Sequence, residues 1–335
     1  MAVDELNFVK LVIQNGGSIH PLTIPPKDLK GPSLTNPSVY FDKVTDKLLV
    51  NIRNINYTLY HSEKKVFEHP WGPLVYIHPE NDWRLRTWNI MCEMNDDMTI
   101  KEYHHIDTSD FPNKELWEFV GLEDARIVRW NGKLYNTGVR RDLDEKGTGR
   151  MELSEMVFTD NGVKEISQHR IPSPGNDDSY CEKNWMPIVD LPYHYVKWTN
   201  GAEVVRYDPK NNTTTTVHLK NWKDLGTIDL RGGSQVLRYK NYYYSLTHET
   251  FLFKSAIGRK DGTYRHRFVI WDEDWNIVKV SRQFSFINAE IEFAVGMTEY
   301  KDNMLITFGY QDNAAYILRV PINYFVNFVF DGVDI

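Results

Sequence analysis

Along most of its length the chain alternates apolar and polar side chains in short runs broken by turn residues, the period of half-buried strands. The opening segment, residues 4–15, reads as a helix or an edge strand, and no long 3.6-residue apolar face follows it. Prolines 21, 25, 26, 32 and 37 are expected to exclude regular structure through most of a polar lead-in over residues 16–37. Beyond it one layout recurs: a turn, an alternating run, then a cluster of polar groups. It appears at residues 48–57 after Val44-Thr45-Asp46, at 134–142 after Asn131-Gly132, and more weakly at 193–198 after Asp190-Leu191-Pro192. It returns at 242–249 after Lys240-Asn241 and at 304–312 after Lys301-Asp302-Asn303. Copies roughly fifty residues apart predict a propeller or a solenoid. The fold expected is all-β: a five-bladed β-propeller in a single domain, with a lead-in at 1–37, blades over 38–320 and a closing segment at 321–335. A sandwich also supplies many short strands, but it does not put a polar cluster on the same side of every repeat. A propeller does, because strand ends from all blades meet at the mouth of a central channel, where the active site is then expected.

Composition reinforces the sheet reading. The 10 Trp, 19 Tyr and 16 Phe favour strands, and core packing is a commoner use of them than stacking on sugars. A formal charge of -7, with no basic run interleaved with aromatics, argues against nucleic acid as the partner. Cys92 and Cys181 lack metal-ligand spacing and are expected to be ordinary thiols in a reduced, cytoplasmic setting. No stretch reaches eighteen uninterrupted apolar residues, so no membrane span is expected. Nothing in the sequence calls for a cofactor, and its oligomeric state is unreadable.

The polar clusters carry the chemistry. They hold Glu123, Asp124 and Arg126; Arg140, Arg141 and Asp142; Glu182, Lys183 and Asn184; Arg231; His248 and Glu249; Glu292; and Asp312. So many cations among the acids set a metal site aside, and no Gly-x-Ser-x-Gly elbow supports acyl transfer. Two carboxylates facing one cavity fit glycoside chemistry. Arg and Lys on separate strands suit a phosphate or a sugar phosphate, although neutralising buried acids is an equally good use of them. Tyr264-Arg265-His266-Arg267-Phe268 reads either as a leaving-group contact or as an outer strand, and Trp83-Arg84-Leu85-Arg86-Thr87-Trp88 as a strand whose tryptophans pack.

Gly121-Leu122-Glu123-Asp124-Ala125-Arg126 resembles the Gly-x-Glu-Asp-Pro-Arg signature of glycoside hydrolase family 130, the β-mannoside phosphorylases and hydrolases on a five-bladed propeller. It is similar also to the related glycosyltransferase family 108, mannosyltransferases and phosphorylases of β-1,2-mannan. Further stations agree in order: Glu182-Lys183-Asn184, Arg231-Gly232-Gly233-Ser234, the strand ending in His248, Phe293-Ala294-Val295-Gly296 and Phe308-Gly309-Tyr310-Gln311-Asp312. The resemblance implies that Asp124 is the general acid, acting through a hydroxyl of the sugar. It implies a sugar subsite at Asn36, Arg53, Glu123, Arg126, Asp142 and Asp312, and a phosphate site at Lys183, Asn184, Arg231 and His248. Ala125 departs from the usual proline, and Val139-Arg140-Arg141 replaces an aromatic, small stretch before Asp142. The two arginines read as contacts to a phosphate or nucleotide diphosphate, or as surface ion pairs. The function expected is an inverting glycoside phosphorylase or glycosyltransferase acting on a glycan or sugar phosphate. The alternatives are an inverting hydrolase in which Glu182, Glu249 or Glu292 activates water, and a non-catalytic glycan-binding propeller.

Overall fold

A computed structural model describes residues 6–61, 74–176, 179–199, 202–220, 230–254 and 260–334. Each of the five recurring runs forms the second strand of a sheet of four or more strands: Lys47–Ile55, Lys133–Arg140, His194–Trp198, Tyr242–Lys254 and Asn303–Tyr310. We number these sheets 1 to 5 in chain order. Ser33–Asp42 leads sheet 1, Glu123–Trp130 sheet 2, Met186–Pro187 sheet 3, Leu230–Arg231 sheet 4 and Glu292–Tyr300 sheet 5, each antiparallel to the second strand of its own sheet. The leading strands meet one another: Ser33–Asp42 packs on both Glu123–Trp130 and Glu292–Tyr300. The result is an all-β, propeller-like fold.

The lead-in is more ordered than its prolines suggest. Leu6–Asn7 pairs with Phe284–Ser285 in sheet 4, and Ser18–Pro21 is the edge strand of sheet 5, paired with Ala314–Pro321. Proline is tolerated there because an edge position at the strand end requires no ladder donor. The opening segment proves to be both readings in succession, with the strand running straight into the helix Phe8–Gln14, capped by Asn7 Oδ1 accepting from the Lys10 amide at 2.8 Å. The closing segment is a helix, Ile322–Phe330. Both helices bury phenylalanines in one aromatic core between sheets 4 and 5, where Phe8, Phe284, Phe286, Phe308 and Phe325 gather. N-terminal and C-terminal segments therefore tie the last two sheets together.

Across the middle of the assembly the sheets are bridged by polar groups with full partners. Gln235 is completely buried. Its Nε2 lies 3.2 Å from Ser38 Oγ, 3.2 Å from the Val39 carbonyl and 2.9 Å from the Ile127 carbonyl, and its Oε1 accepts from the Met297 amide at 3.0 Å. One side chain, from the segment between the strands of sheet 4, thus joins sheets 1, 2 and 5. Trp130 does similar service at the flank, its indole donating to the Ile188 carbonyl at 3.0 Å.

Candidate active site

The leading strands of sheets 1, 2 and 5 each carry one extra residue, a bulge that shifts register between Thr35 and Ser38, between Glu123 and Arg126, and between Ala294 and Gly296. A bulge bends its strand and re-aims a side chain. In the first two, the extra turn of backbone is taken by Asn36 at φ 42 and Asp124 at φ 50, left-handed values that Asn and Asp adopt more readily than other side chains. Asn184 at φ 60 and Asp312 at φ 48 share the conformation. Four of the residues singled out from the sequence are therefore held in a costly backbone state, of the kind that collects at functional sites. Two glycines make room for it: a Cβ at Gly138 would run into the Glu123 carbonyl, and one at Gly309 into Asn36.

These strand ends bring five of the predicted residues together. Asn36 Nδ2 donates to Asp124 Oδ1 at 2.8 Å and lies 3.4 Å from Asp312 Oδ1. Arg53, buried on the neighbouring strand, spends every nitrogen: Nη1 on Asp124 at 2.9 Å, Nη2 on Glu123 at 3.0 Å and on the Tyr57 hydroxyl at 2.6 Å, and Nε on Thr87 at 3.0 Å. The Thr35 hydroxyl lies 3.3 Å from Asp312 Oδ1.

The three acids are driven apart. Burial works to raise the Asp124 carboxyl, but Arg53, Arg126, the Asn36 hydrogen bond and Lys183 together hold it below its ordinary value. Burial pushes Glu123 up against the pull of Arg53, and it pushes Asp312 up as well, with Arg53 opposing and Asp124 reinforcing. A low and a high carboxyl side by side are the environment of acid and base assignments.

The remaining predicted residues divide. Arg126 is fully buried and serves as a brace, with Nη1 on the Asp124 carbonyl at 2.6 Å, Nε on the Gly233 carbonyl at 2.8 Å and Nη2 near Asn184 Oδ1 at 3.5 Å. Lys183 is exposed, and its charge acts on Glu123, Asp124 and His248. Arg231 lies opposite His248 in the sheet 4 ladder. His248 Nδ1 sits 3.1 Å from the Gly232 carbonyl, which can only accept, so that nitrogen carries the proton. Burial, with His266, Arg231, Lys183 and Arg126 beside it, depresses the ring far below the ordinary histidine value, so it enters this cluster neutral. Asp142 is not part of the Asp124 group. It is fully buried beside Arg140, 4.0 Å away, in a second cluster with Glu152. The two consecutive arginines thus separate: Arg140 turns to Glu152 at 3.2 Å, whereas Arg141 lies over Phe119 and Tyr180 and its charge reaches Glu123.

Sequence reasoning passed over several groups here. Tyr57 follows Arg53 by four residues at a strand end and was readable only as part of a repeat. Tyr76, whose ring meets Tyr57 at 5.3 Å and Phe119 at 6.1 Å, faces the charges of Asp312, Glu123 and Arg53 from a short strand, Leu74–Ile77, that carries no motif. Tyr264 stands 5.2 Å from His248, within reach of Asp312 and Asp124, so its aromatic-basic stretch is an inner part of sheet 4 and not an outer solvated strand. The acids weighed as water activators are all engaged elsewhere. Glu182 holds Lys197 at 3.2 Å and the Trp185 indole at 3.1 Å, Glu249 holds Arg267 at 2.8 Å, and Glu292 accepts from the amides of Phe286, Ile287 and Ala289.

The fold is shared by solved mannoside phosphorylases and a mannosyltransferase. The β-1,2-mannobiose phosphorylase of Listeria innocua superposes with a TM-score of 0.56 at 12% identity, over 93% of this chain and 96% of its own. A mannose phosphorylase from Leishmania mexicana, solved with a phosphate ion, gives 0.52 at 11% identity over 95% of this chain and 93% of its own. The GDP-Man-dependent mannosyltransferase of the same organism gives 0.51 at 12% identity over 95% and 92%. Identity this low speaks for the fold alone. No protein-family model matches the sequence, and no curated protein does.

Proposed function

We propose that the protein is a five-bladed propeller enzyme that makes or breaks a β-mannosidic bond by a single inverting displacement, using phosphate or a phosphorylated sugar donor. The observation that carries this reading is the group of Asn36, Asp124 and Asp312, all in left-handed backbone, bound by Arg53, with Arg231 and His248 of sheet 4 and Lys183 of the segment leading into sheet 3 close by. In this reading sheets 1 to 5 are the blades, and the likeness to solved phosphorylases supports the reaction class. In the bond-breaking direction a phosphate oxygen attacks the anomeric carbon, the C–O bond to the leaving sugar breaks, and a proton passes from Asp124 through a sugar hydroxyl to the departing oxygen. In the bond-forming direction Asp124 takes that proton back from the acceptor. A carboxylate held low by Arg53 and Asn36 rests in the ionised form, the one the bond-forming direction starts from, whereas the bond-breaking direction starts from its acid form. Asp312, whose carboxyl burial pushes up, is placed beside the same group to hold a hydroxyl of the bound sugar.

Hydrolysis is the less favoured route because Glu182, Glu249 and Glu292 are each tied to structural partners. Incubation with β-mannosides, with and without phosphate, tests the reading. Mannose 1-phosphate formed only when phosphate is present supports it; free mannose released regardless of phosphate overturns it. Turnover with a nucleotide sugar and no phosphate would place the protein with the transferases.

A further inference from the structure

A cavity of about 410 Å³ opens at the end of the leading strands away from Asp124 and is lined by residues of all five large sheets or the turns that join their strands. From Asp124 to Arg129, which borders it, the strand runs five residues, roughly 17 Å at about 3.3 Å per residue. Gln235 and its partners fill the space between. Its size falls within the range of small-molecule sites, roughly 300–1,000 Å³.

Two phenols line it. Tyr244 is 3% exposed, its ring wedged against Phe325 and Phe330, and it lines the cavity. Tyr40, 9% exposed, is pushed up to about 12 by burial and by Asp42, so it keeps its proton and offers it to a ligand. The rim carries both signs: Asp190 and Glu299 are exposed acceptors, and Lys43 and Arg238 exposed donors. The wall between sheets 1 and 2 is closed by Arg129 paired with Asp42 at 2.5 Å. Phenols set in a cavity wall present an apolar ring and a polar tip to whatever fills it. Near-balanced charge disfavours a strong cation or anion, and donors alternating with acceptors suit vicinal hydroxyls.

We propose that this cavity is a second, non-catalytic binding site for a neutral polyhydroxylated ligand, a pyranose unit, with Tyr40 and Tyr244 donating from the floor and Asp190 and Glu299 accepting from the rim. The proposal does not depend on the chemistry at Asp124. Its test is titration of the intact protein with D-mannose, followed by saturation-transfer NMR, in the native protein and in the Asp124→Asn, Tyr244→Phe and Asp190→Asn/Glu299→Gln variants. The expected result is a class of sites that survives Asp124→Asn and is weakened at least about five-fold in the other two, with turnover on β-mannosides unchanged in Tyr244→Phe. Identical curves in all four proteins overturn it, as does displacement of the sugar by spermidine or magnesium chloride, which marks a cation site. If no protein shows turnover but the second class persists, the proposed catalytic function fails and this site stands.

Discussion

Two buried arginines, Arg53 and Arg140, lie at the same place in neighbouring repeats, each near the end of the second strand of its sheet and each beside two carboxylates. Arg53 finds a partner for every nitrogen, and the acid it shares with Asn36 is held ionised. Around Arg140 the reverse holds. Of sixteen buried side-chain polar atoms without a partner among the described residues, seven belong to Arg140, Asp142, Glu152 and Asn136. Burial there pushes Glu152 up to about 8 in spite of Arg140. The lesson is that a buried cation and an acid at short range do not by themselves make a charged pair. What decides is whether the remaining donors and acceptors are satisfied.

The sharpest break of this contrast is at the acid itself. Asp124→Asn is expected to cost about 10²–10⁴-fold in turnover, with the far-ultraviolet circular dichroism unchanged; full activity would remove Asp124 from the chemistry. Next come the two arginines. Arg53→Met leaves Glu123 and Asp124 without their cation and is expected to destabilise by about 3–5 kcal/mol, read by urea unfolding, and Arg140→Met by less than half of that. Equal costs would mean that the two clusters are energetically alike.

The pH dependence separates them further. Glu152 ionises at its ordinary value near 4.5 when unfolded but near 8 when folded, so the native state alone holds the proton between those limits. Its contribution to stability therefore falls as pH rises from about 4.5 to 8, at up to about 1.4 kcal/mol per unit. Asp124 has the opposite sign: its contribution is present above its ordinary value and lost as pH falls through the lower folded one. Glu152→Gln is expected to flatten the decline between pH 5 and 8 in thermal melts; an unchanged slope would show that Glu152 is ionised in the fold. The smallest effect is at the mouth. Arg141→Ala removes a cation that rests on Phe119 and Tyr180, and is expected to raise KM for the phosphorylated substrate several-fold while moving stability by no more than about 0.5 kcal/mol.

Much of this is legible in the sequence. The turns and alternating runs located the second strand of every large sheet, and the ordered motifs picked out Asn36, Arg53, Glu123, Asp124 and Asp312, which do converge. Asp142 was misplaced by the same logic, because a strand-end position does not say which face a side chain takes beyond the last ladder pair. The strand Ser18–Pro21 was hidden because its partner lies almost three hundred residues further along the chain. Residues 321–330 are apolar enough for a closing strand, a clasp or a subunit contact, and only packing of Phe325 and Phe328 against Phe268 and Phe8 reveals a helix there. Tyr76 gave no signal at all, since its role depends on where Leu74–Ile77 lands and not on its neighbours in sequence.

Gln235 has a consequence for how the chain assembles. Its bonds join it to residues 62 to 197 positions away, in three other sheets. None of them can form until those sheets already stand around it, and each such closure carries a large loop entropy. Gln235 should therefore contribute nothing to the folding nucleus and act only on the unfolding rate: a late lock whose removal leaves the speed of folding intact and shortens the lifetime of the folded state.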